Sequence, residues 1–364
     1  MSLIKKIKEM PQGAKASVAF FGASVVTKGI SYLVMPIYTR VLSTEDFGRT
    51  SIFMTWLEIL GVFAMFCLSY GVFNNGMLDN PDSRDEYSFS MLMLSNLITI
   101  VVSVLIFALY PILKPIIGLD LPLVALMCVL FLVQPAFNFW STRQRYELKY
   151  KYMVLWSIIA AILSPTIAII CILSTDDTHT LYARLFGAEI PLIAIYLCFY
   201  IYLAAKSKFK VTTKYWKEAF LFNLPLIPHY LSIYLLGNSN KLLVSHFVGD
   251  EAVAYYSVAQ SVASVTLIVW TAINSSLVPY TYEKCKEKDY KSVSNVAVPI
   301  LTVFAALCIM VSLLAPEVVA FMTTSDYREA IYAIPPIVAG VFFQVQYFLY
   351  ANIVFYACNF IFQK

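Results

Sequence analysis

MVLWSIIAAILSPTIAIICIL, from Met153 to Leu173, runs for 21 residues without a lysine, arginine, histidine, aspartate or glutamate. A helix of that length spans about 30 Å and satisfies its own backbone hydrogen bonds, as a bilayer interior demands. Arg143, Arg145, Lys149 and Lys151 stand just before it, and Asp176 and Asp177 follow it. Nine runs of similar kind lie on either side, at 17–37, 50–73, 90–113, 121–141, 185–204, 219–237, 252–276, 293–315 and 331–357. The composition agrees: 60% of residues are hydrophobic, 13% are charged, and the mean hydropathy is +0.73. A soluble chain so apolar would expose large hydrocarbon surfaces to water. The pattern predicts an all-α polytopic membrane protein with about ten transmembrane helices.

The loops between these runs alternate in basic charge. Nineteen of the 26 lysines and arginines fall on the side of the N-terminus, in the groups around Lys5–Lys15, Arg84, Arg143–Lys151, Lys206–Lys217, Lys284–Lys291 and Lys364. Only Arg40, Arg49, Lys114, Arg184, Lys241 and Arg328 fall opposite, and Lys28 lies inside a run. The excess of positive charge predicts a cytoplasmic N-terminus. It explains the net charge of +4 without nucleic acid as a partner. The basic start followed by an apolar run imitates a signal peptide. It lacks a small-residue cleavage site and continues to Pro36, so it reads as a retained first span.

Chemistry-bearing constellations are missing. The sequence has no nucleophile elbow, Walker loop or zinc-protease motif, and its three histidines, His179, His229 and His246, are scattered. Six of the seven cysteines sit in apolar runs, at spacings that fit neither a metal nor a disulfide framework. Many spans, short loops and no catalytic group predict a transporter with no cofactor and no metal, not an enzyme.

An internal repeat points the same way. The segments from Thr39 to Ile52 (Thr39-Arg40-Val41-Leu42-Ser43-Thr44-Glu45-Asp46-Phe47-Gly48-Arg49-Thr50-Ser51-Ile52) and from Ser245 to Val258 share a basic helix end, a turn and an acidic pair opening the next helix. Acids complement a helix N-terminus, which accounts for part of the match. Their common phase suggests two parallel lobes, 1–205 and 219–364, joined by a basic linker at 206–218.

The segment Thr39–Gly48 resembles the first outer loop of polysaccharide-biosynthesis flippases of the Wzx type, within the MATE-like multidrug/oligosaccharidyl-lipid/polysaccharide exporter superfamily. Asn223-Leu224-Pro225-Leu226-Ile227-Pro228-His229-Tyr230 is similar to their seventh span, and Gly249–Ala259 to the loop after it. The resemblance implies two six-helix lobes that move undecaprenyl-pyrophosphate-linked oligosaccharide across the inner membrane by alternating access. The products served are O-antigen, capsule or exopolysaccharide. The partners it implies are the lipid-linked oligosaccharide, bilayer lipid, a polysaccharide polymerase and a chain-length regulator. Members have twelve or more spans, so on this reading the second lobe holds four of an expected six. Alternatives are a multidrug or lipid II exporter, an integral-membrane polymerase, or a truncated inactive remnant.

Charges inside the spans supply the candidate site residues. A central charge costs about 2.5–3.5 kcal/mol and needs a cavity or a partner. Lys28 therefore either lines the cavity and holds pyrophosphate or pairs with Glu58, and Arg40 and Lys241 join it as candidate substrate-binding cations. Glu58, Glu189 and His229 are the candidate ion-coupling groups. Each has a plainer reading: an ion pair for Glu58, an interfacial pair with Arg184 for Glu189, and a structural hydrogen bond for His229. Pro36, Pro225 and Pro228 are candidate hinge positions, a static kink being the alternative for the last two.

Overall fold

The computed structural model describes residues 12–362, and these contain helices and turns but no strand. In chain order the α-helices are α1 (Gln12–Val41), α2 (Thr44–Ala64), α3 (Gly71–Asp79), α4 (Arg84–Ala108) and α5 (Tyr110–Ile117). There follow α6 (Leu121–Tyr146), α7 (Tyr150–Leu173), α8 (Thr180–Lys206), α9 (Lys214–Asn223) and α10 (Ile227–Phe247). The last are α11 (Asp250–Lys286), α12 (Tyr290–Leu313), α13 (Ala315–Met322) and α14 (Ala330–Phe362).

Eight long helical stretches among the described residues are apolar enough to cross a bilayer, α9 and α10 counting as one. The helices α1 and α2, 30 and 21 residues long, are sufficient in length but more polar. With them the long helices number ten. Their outward side chains include Leu33, Leu155, Ile162, Ile170, Leu173, Val303 and Leu313, all exposed. In water such surface costs about 25 cal/mol per Å², whereas lipid covers it without loss. The chain is a multi-pass membrane protein.

Several run boundaries differ from the sequence reading, two of them beside the cavity described below. The run at 50–73 breaks, because α2 stops at Ala64 and Phe66 and Cys67 take left-handed backbone, with φ of 54° and 49°. That conformation costs about 1–2 kcal/mol per residue. It is held by Asn223, fully buried, whose Nδ2 donates to the Phe66 carbonyl at 3.0 Å. The ring of Phe66 stacks on Phe220 of α9 at 4.9 Å. The run at 219–237 also differs. It extends to Phe247, so Lys241 lies within a helix and not in the opposite loop.

Packing divides the chain into two compact units: residues 1–42 with 49–249, and residues 43–48 with 250–364. The first takes in α9 and α10. Within it α8 packs on α7 and α6, and α7 also packs on α1. A β-carbon at Gly187 would stand 2.9 Å from the backbone of Ala168, so only glycine permits the α7–α8 approach. One core gathers Phe73, Phe139, Trp140, Phe199 and Leu203, and another Phe53, Leu123, Phe131 and Leu185.

In the second unit α11 packs along α14, and α12 contacts both. Trp270 meets Phe304 edge-on at 5.8 Å, and Asn352 donates to Asn274 at 3.0 Å, a polar link of the kind that joins membrane helices. The two segments of the internal repeat also meet here. Thr44 Oγ1 donates to Glu251 at 3.3 Å, and Gly48 lies so close to the Asp250 carbonyl that a β-carbon would sit 1.8 Å from it.

Candidate transport cavity

The helix α2 carries Met54, Leu57, Glu58, Gly61 and Val62 at spacings of three and one, which place all five on one face. That face lines a cavity of 340 Å³ inside the first unit. Gln134 and Asn138, one turn apart on α6, supply a second wall, Ser95 of α4 a third, and Tyr234 of α10 a fourth. Ser69 and Tyr70 of the turn after α2 close one end. Apolar surface comes from Met54, Val62, Met65 and Phe139.

The polar groups divide into two sets. One set holds α10 in place. Asn238 Nδ2 donates to Glu58 Oε2 at 2.6 Å, Lys241 interacts electrostatically with the same carboxylate, and the hydroxyls of Tyr70 and Tyr234 are 2.9 Å apart. Tyr230, Tyr234, Asn238 and Lys241 recur at intervals of four and three, so a single polar stripe of α10 makes these contacts. Tyr230 adds ring contact to Tyr70 at 5.3 Å. The other set has no partner among the described residues: Glu58 Oε1, the Gln134 and Asn138 amides, and the Ser69 hydroxyl. Ser95 belongs with it, being fully buried with an unpaired Oγ. Unpaired polar groups in a membrane interior cost several kcal/mol unless a ligand or water meets them.

The helix carrying the stripe is broken upstream. Between α9 and α10 the chain makes a 3₁₀ turn over Leu224–Leu226, with Pro225 inside it and Pro228 in the first turn of α10. Proline supplies no backbone donor, so the tighter turn forms where the α ladder is interrupted. His229 next to it is exposed, its ring 5.7 Å from that of Tyr230. Pro36 sits within α1, which continues through it.

The other candidates lie elsewhere. Lys28 is exposed on α1 and has no ion pair among the described residues, and Arg40 donates to the Pro36 carbonyl at 2.6 Å. Glu58 is thus hydrogen-bonded to Asn238, with Lys241 acting on it electrostatically, and it has no ion pair with Lys28. Neither Lys28, Arg40 nor Lys241 lines the cavity, whereas Glu58 does.

Glu189 is buried, 6% exposed. It and Arg184 interact electrostatically, but the Arg184 guanidinium lies over the Tyr38 ring, 4.0 Å from its centre. Five residues apart on α8, they do not share a face, which three or four would give. Arg184 Nε and Nη1 and the Tyr38 hydroxyl have no hydrogen-bond partner among the described residues.

Gln134, Asn138, Ser95, Tyr70, Tyr234 and Asn238 were not singled out in the sequence. Their signal was available in two places: a pair of amides one turn apart in the otherwise apolar run at 121–141, and the polar stripe of α10.

Membrane-crossing helices line a polar cavity in the first unit, and solved structures share this fold. A multidrug resistance MATE family transporter of the MOP superfamily, solved in an inward-facing conformation, superposes with a TM-score of 0.58 at 13% identity. The superposition covers 90% of this chain and 83% of that one. A mutant of a MATE protein gives 0.52 at 14% identity, over 96% of this chain and 86% of that one. The fold is therefore MATE-like. The Polysaccharide biosynthesis protein family matches residues 14–284, and the chain belongs to that family. Putative protein 1 of the Lsg locus of Haemophilus influenzae is 28% identical over 101 residues, which span 27% of this chain and 25% of that protein.

Proposed function

We propose that this transporter is a flippase for an undecaprenyl-pyrophosphate-linked oligosaccharide, working by alternating access in the bacterial inner membrane with its N-terminus in the cytoplasm. The observation that carries the reading is the cavity of the first unit, where Glu58, Gln134, Asn138, Ser69 and the buried, unpartnered Ser95 hydroxyl face a space within membrane-crossing helices. Family membership supports a polysaccharide precursor as cargo. Lys28, a mid-helix cation without a counter-ion among the described residues, holds the pyrophosphate, and the broken α9–α10 segment serves as the hinge. A polymerase and a chain-length regulator take the product onward to O-antigen, capsule or exopolysaccharide.

Deleting the gene in its host tests this. Surface polysaccharide should disappear and lipid-linked repeat units should accumulate on the cytoplasmic leaflet; unchanged surface polysaccharide would overturn the reading. A second reading, export of cationic drugs, is favoured by one observation, the Glu58 carboxylate in the cavity wall. On that reading the deletion would sensitise cells to lipophilic cations and leave polysaccharide intact.

A further inference from the structure

We propose that the cavity of the first unit is a subsite for uncharged sugar rings, closed to acidic sugars and to the pyrophosphate of the same cargo. The proposal rests on the flippase reading and specifies which part of the cargo the cavity takes.

The first argument is the pattern of donors and acceptors. A pyranose offers hydroxyls that both donate and accept. Gln134 and Asn138 each bring donors and an acceptor, and Ser69 and Ser95 each bring a hydroxyl that does both. Glu58 keeps Oε1 free of protein donors while Oε2 is occupied by Asn238. An ionised carboxylate only accepts, and it meets a sugar hydroxyl with a charge-assisted bond. Phosphate and uronate oxygens also only accept, so they leave that position unpaired.

The second argument is charge. The lining contains one ionisable charge, the Glu58 carboxylate, and neither lysine nor arginine. Lys241 approaches Glu58 without entering the lining, so the wall facing the cargo is anionic or neutral. Inside a low-dielectric bundle a second anion is repelled more strongly than in water.

The third is size. At 340 Å³ the cavity lies at the small end of ligand sites, which run from about 300 to 1,000 Å³. It accommodates a short stretch of sugar and not a whole repeat unit with its lipid. Met54, Val62 and Phe139 give the C–H faces of a ring an apolar surface to rest on.

The test uses the purified chain in phosphatidylcholine nanodiscs and saturation-transfer NMR titrations. The probes are methyl glucoside, methyl N-acetylglucosaminide, methyl glucuronide and inorganic pyrophosphate. The two neutral glycosides should bind, and the glucuronide and pyrophosphate should bind on the order of tenfold more weakly or worse, because like charges are juxtaposed. Glu58→Gln keeps the side-chain size and an oxygen for Asn238. It should weaken the neutral glycosides and bring the glucuronide to within about threefold of them, since the repelling charge is gone. Ser95→Ala, a smaller change less prone to disturb folding, should also weaken the neutral glycosides.

Equal binding of glucuronide and glucoside by the wild type would overturn the proposal. So would neutral binding that neither variant alters, or no glycoside binding at all. The gene deletion separates these failures from failure of the flippase reading. Lost surface polysaccharide with no glycoside binding sinks only the subsite, and retained polysaccharide sinks the flippase reading as well.

Discussion

Asn238 donates a 2.6 Å hydrogen bond to Glu58, joining α10 to the cavity face of α2. The bond lies three turns beyond the 3₁₀ break, so any swing of α10 about Leu224–Leu226 has to break it. Bonds to a charged group are worth about 1.5–3 kcal/mol net. The Tyr70–Tyr234 hydroxyl pair lies one turn closer to the break and acts on the same helix.

Asn238→Leu, placed in the chromosomal gene, is therefore expected to lower surface polysaccharide on the order of tenfold, because the lost bond is charge-assisted. Glu58→Gln retains an acceptor and is expected to be milder. Quantitative immunoblotting of membranes separates transport loss from loss of protein. Unchanged surface polysaccharide in Asn238→Leu would show that the bond has no part in transport.

The break itself is testable through Pro225 and Pro228. Replacing both with alanine restores two backbone donors and favours a continuous α-helix, since proline is about 3 kcal/mol worse than alanine in a helix interior. Transport is expected to fall while the melting temperature in detergent holds or rises. Unchanged transport would make the break a static kink.

The fold was legible for a plain reason: spans are dictated by hydrocarbon thickness, and the run from Met153 to Leu173 shows this without further information. Helix ends were less legible. The stop at Ala64 depends on Asn223, more than 150 residues away, and that pairing leaves no local trace. The site was legible only in part. Glu58 stood out as a charge, but its partner could not be read from the sequence, and Lys28 was as reasonable a choice as Asn238. Neutral amides such as Gln134 and Asn138 cost less in a membrane than charges, so they attracted no notice. Grouped on one face they form most of the cavity's hydrogen-bonding wall.

At one end of the first unit, Arg143 pairs with Asp85 of α4 and with Glu147 just beyond α6, and Lys149 donates to Glu147 at 2.7 Å. Burial alone would raise the Glu147 pKa, but the hydrogen bonds from Lys149 and Arg143 outweigh it and hold the carboxyl below its ordinary 4.5. A lowered folded pKa stabilises the protein fully above the unfolded value, and that contribution is lost as pH falls through the folded one. Stability should therefore be flat from pH 7 to about 5 and decline below, with Glu147→Gln flattening the decline. Arg143→Ala strands two carboxylates and should cost about 1–3 kcal/mol, between a surface and a buried pair. Thermal melts of the purified protein against pH read both effects.

Lys28 remains the sharpest test of how cargo is held. A lysine midway along a 30-residue helix has a costly charge unless something anionic meets it. If its role were to neutralise Glu58, removing both charges would restore what removing one destroys. Glu58 is instead hydrogen-bonded to Asn238, with Lys241 acting on it electrostatically, and Lys28 has no ion pair among the described residues. Lys28→Ala is thus expected to abolish surface polysaccharide with the protein still inserted, and the Lys28→Ala, Glu58→Ala double variant to remain inactive. Lys28→Arg, which keeps the positive charge, should retain measurable export. Recovery in the double variant would return Lys28 to the ion-pair role and remove it as the pyrophosphate-binding group.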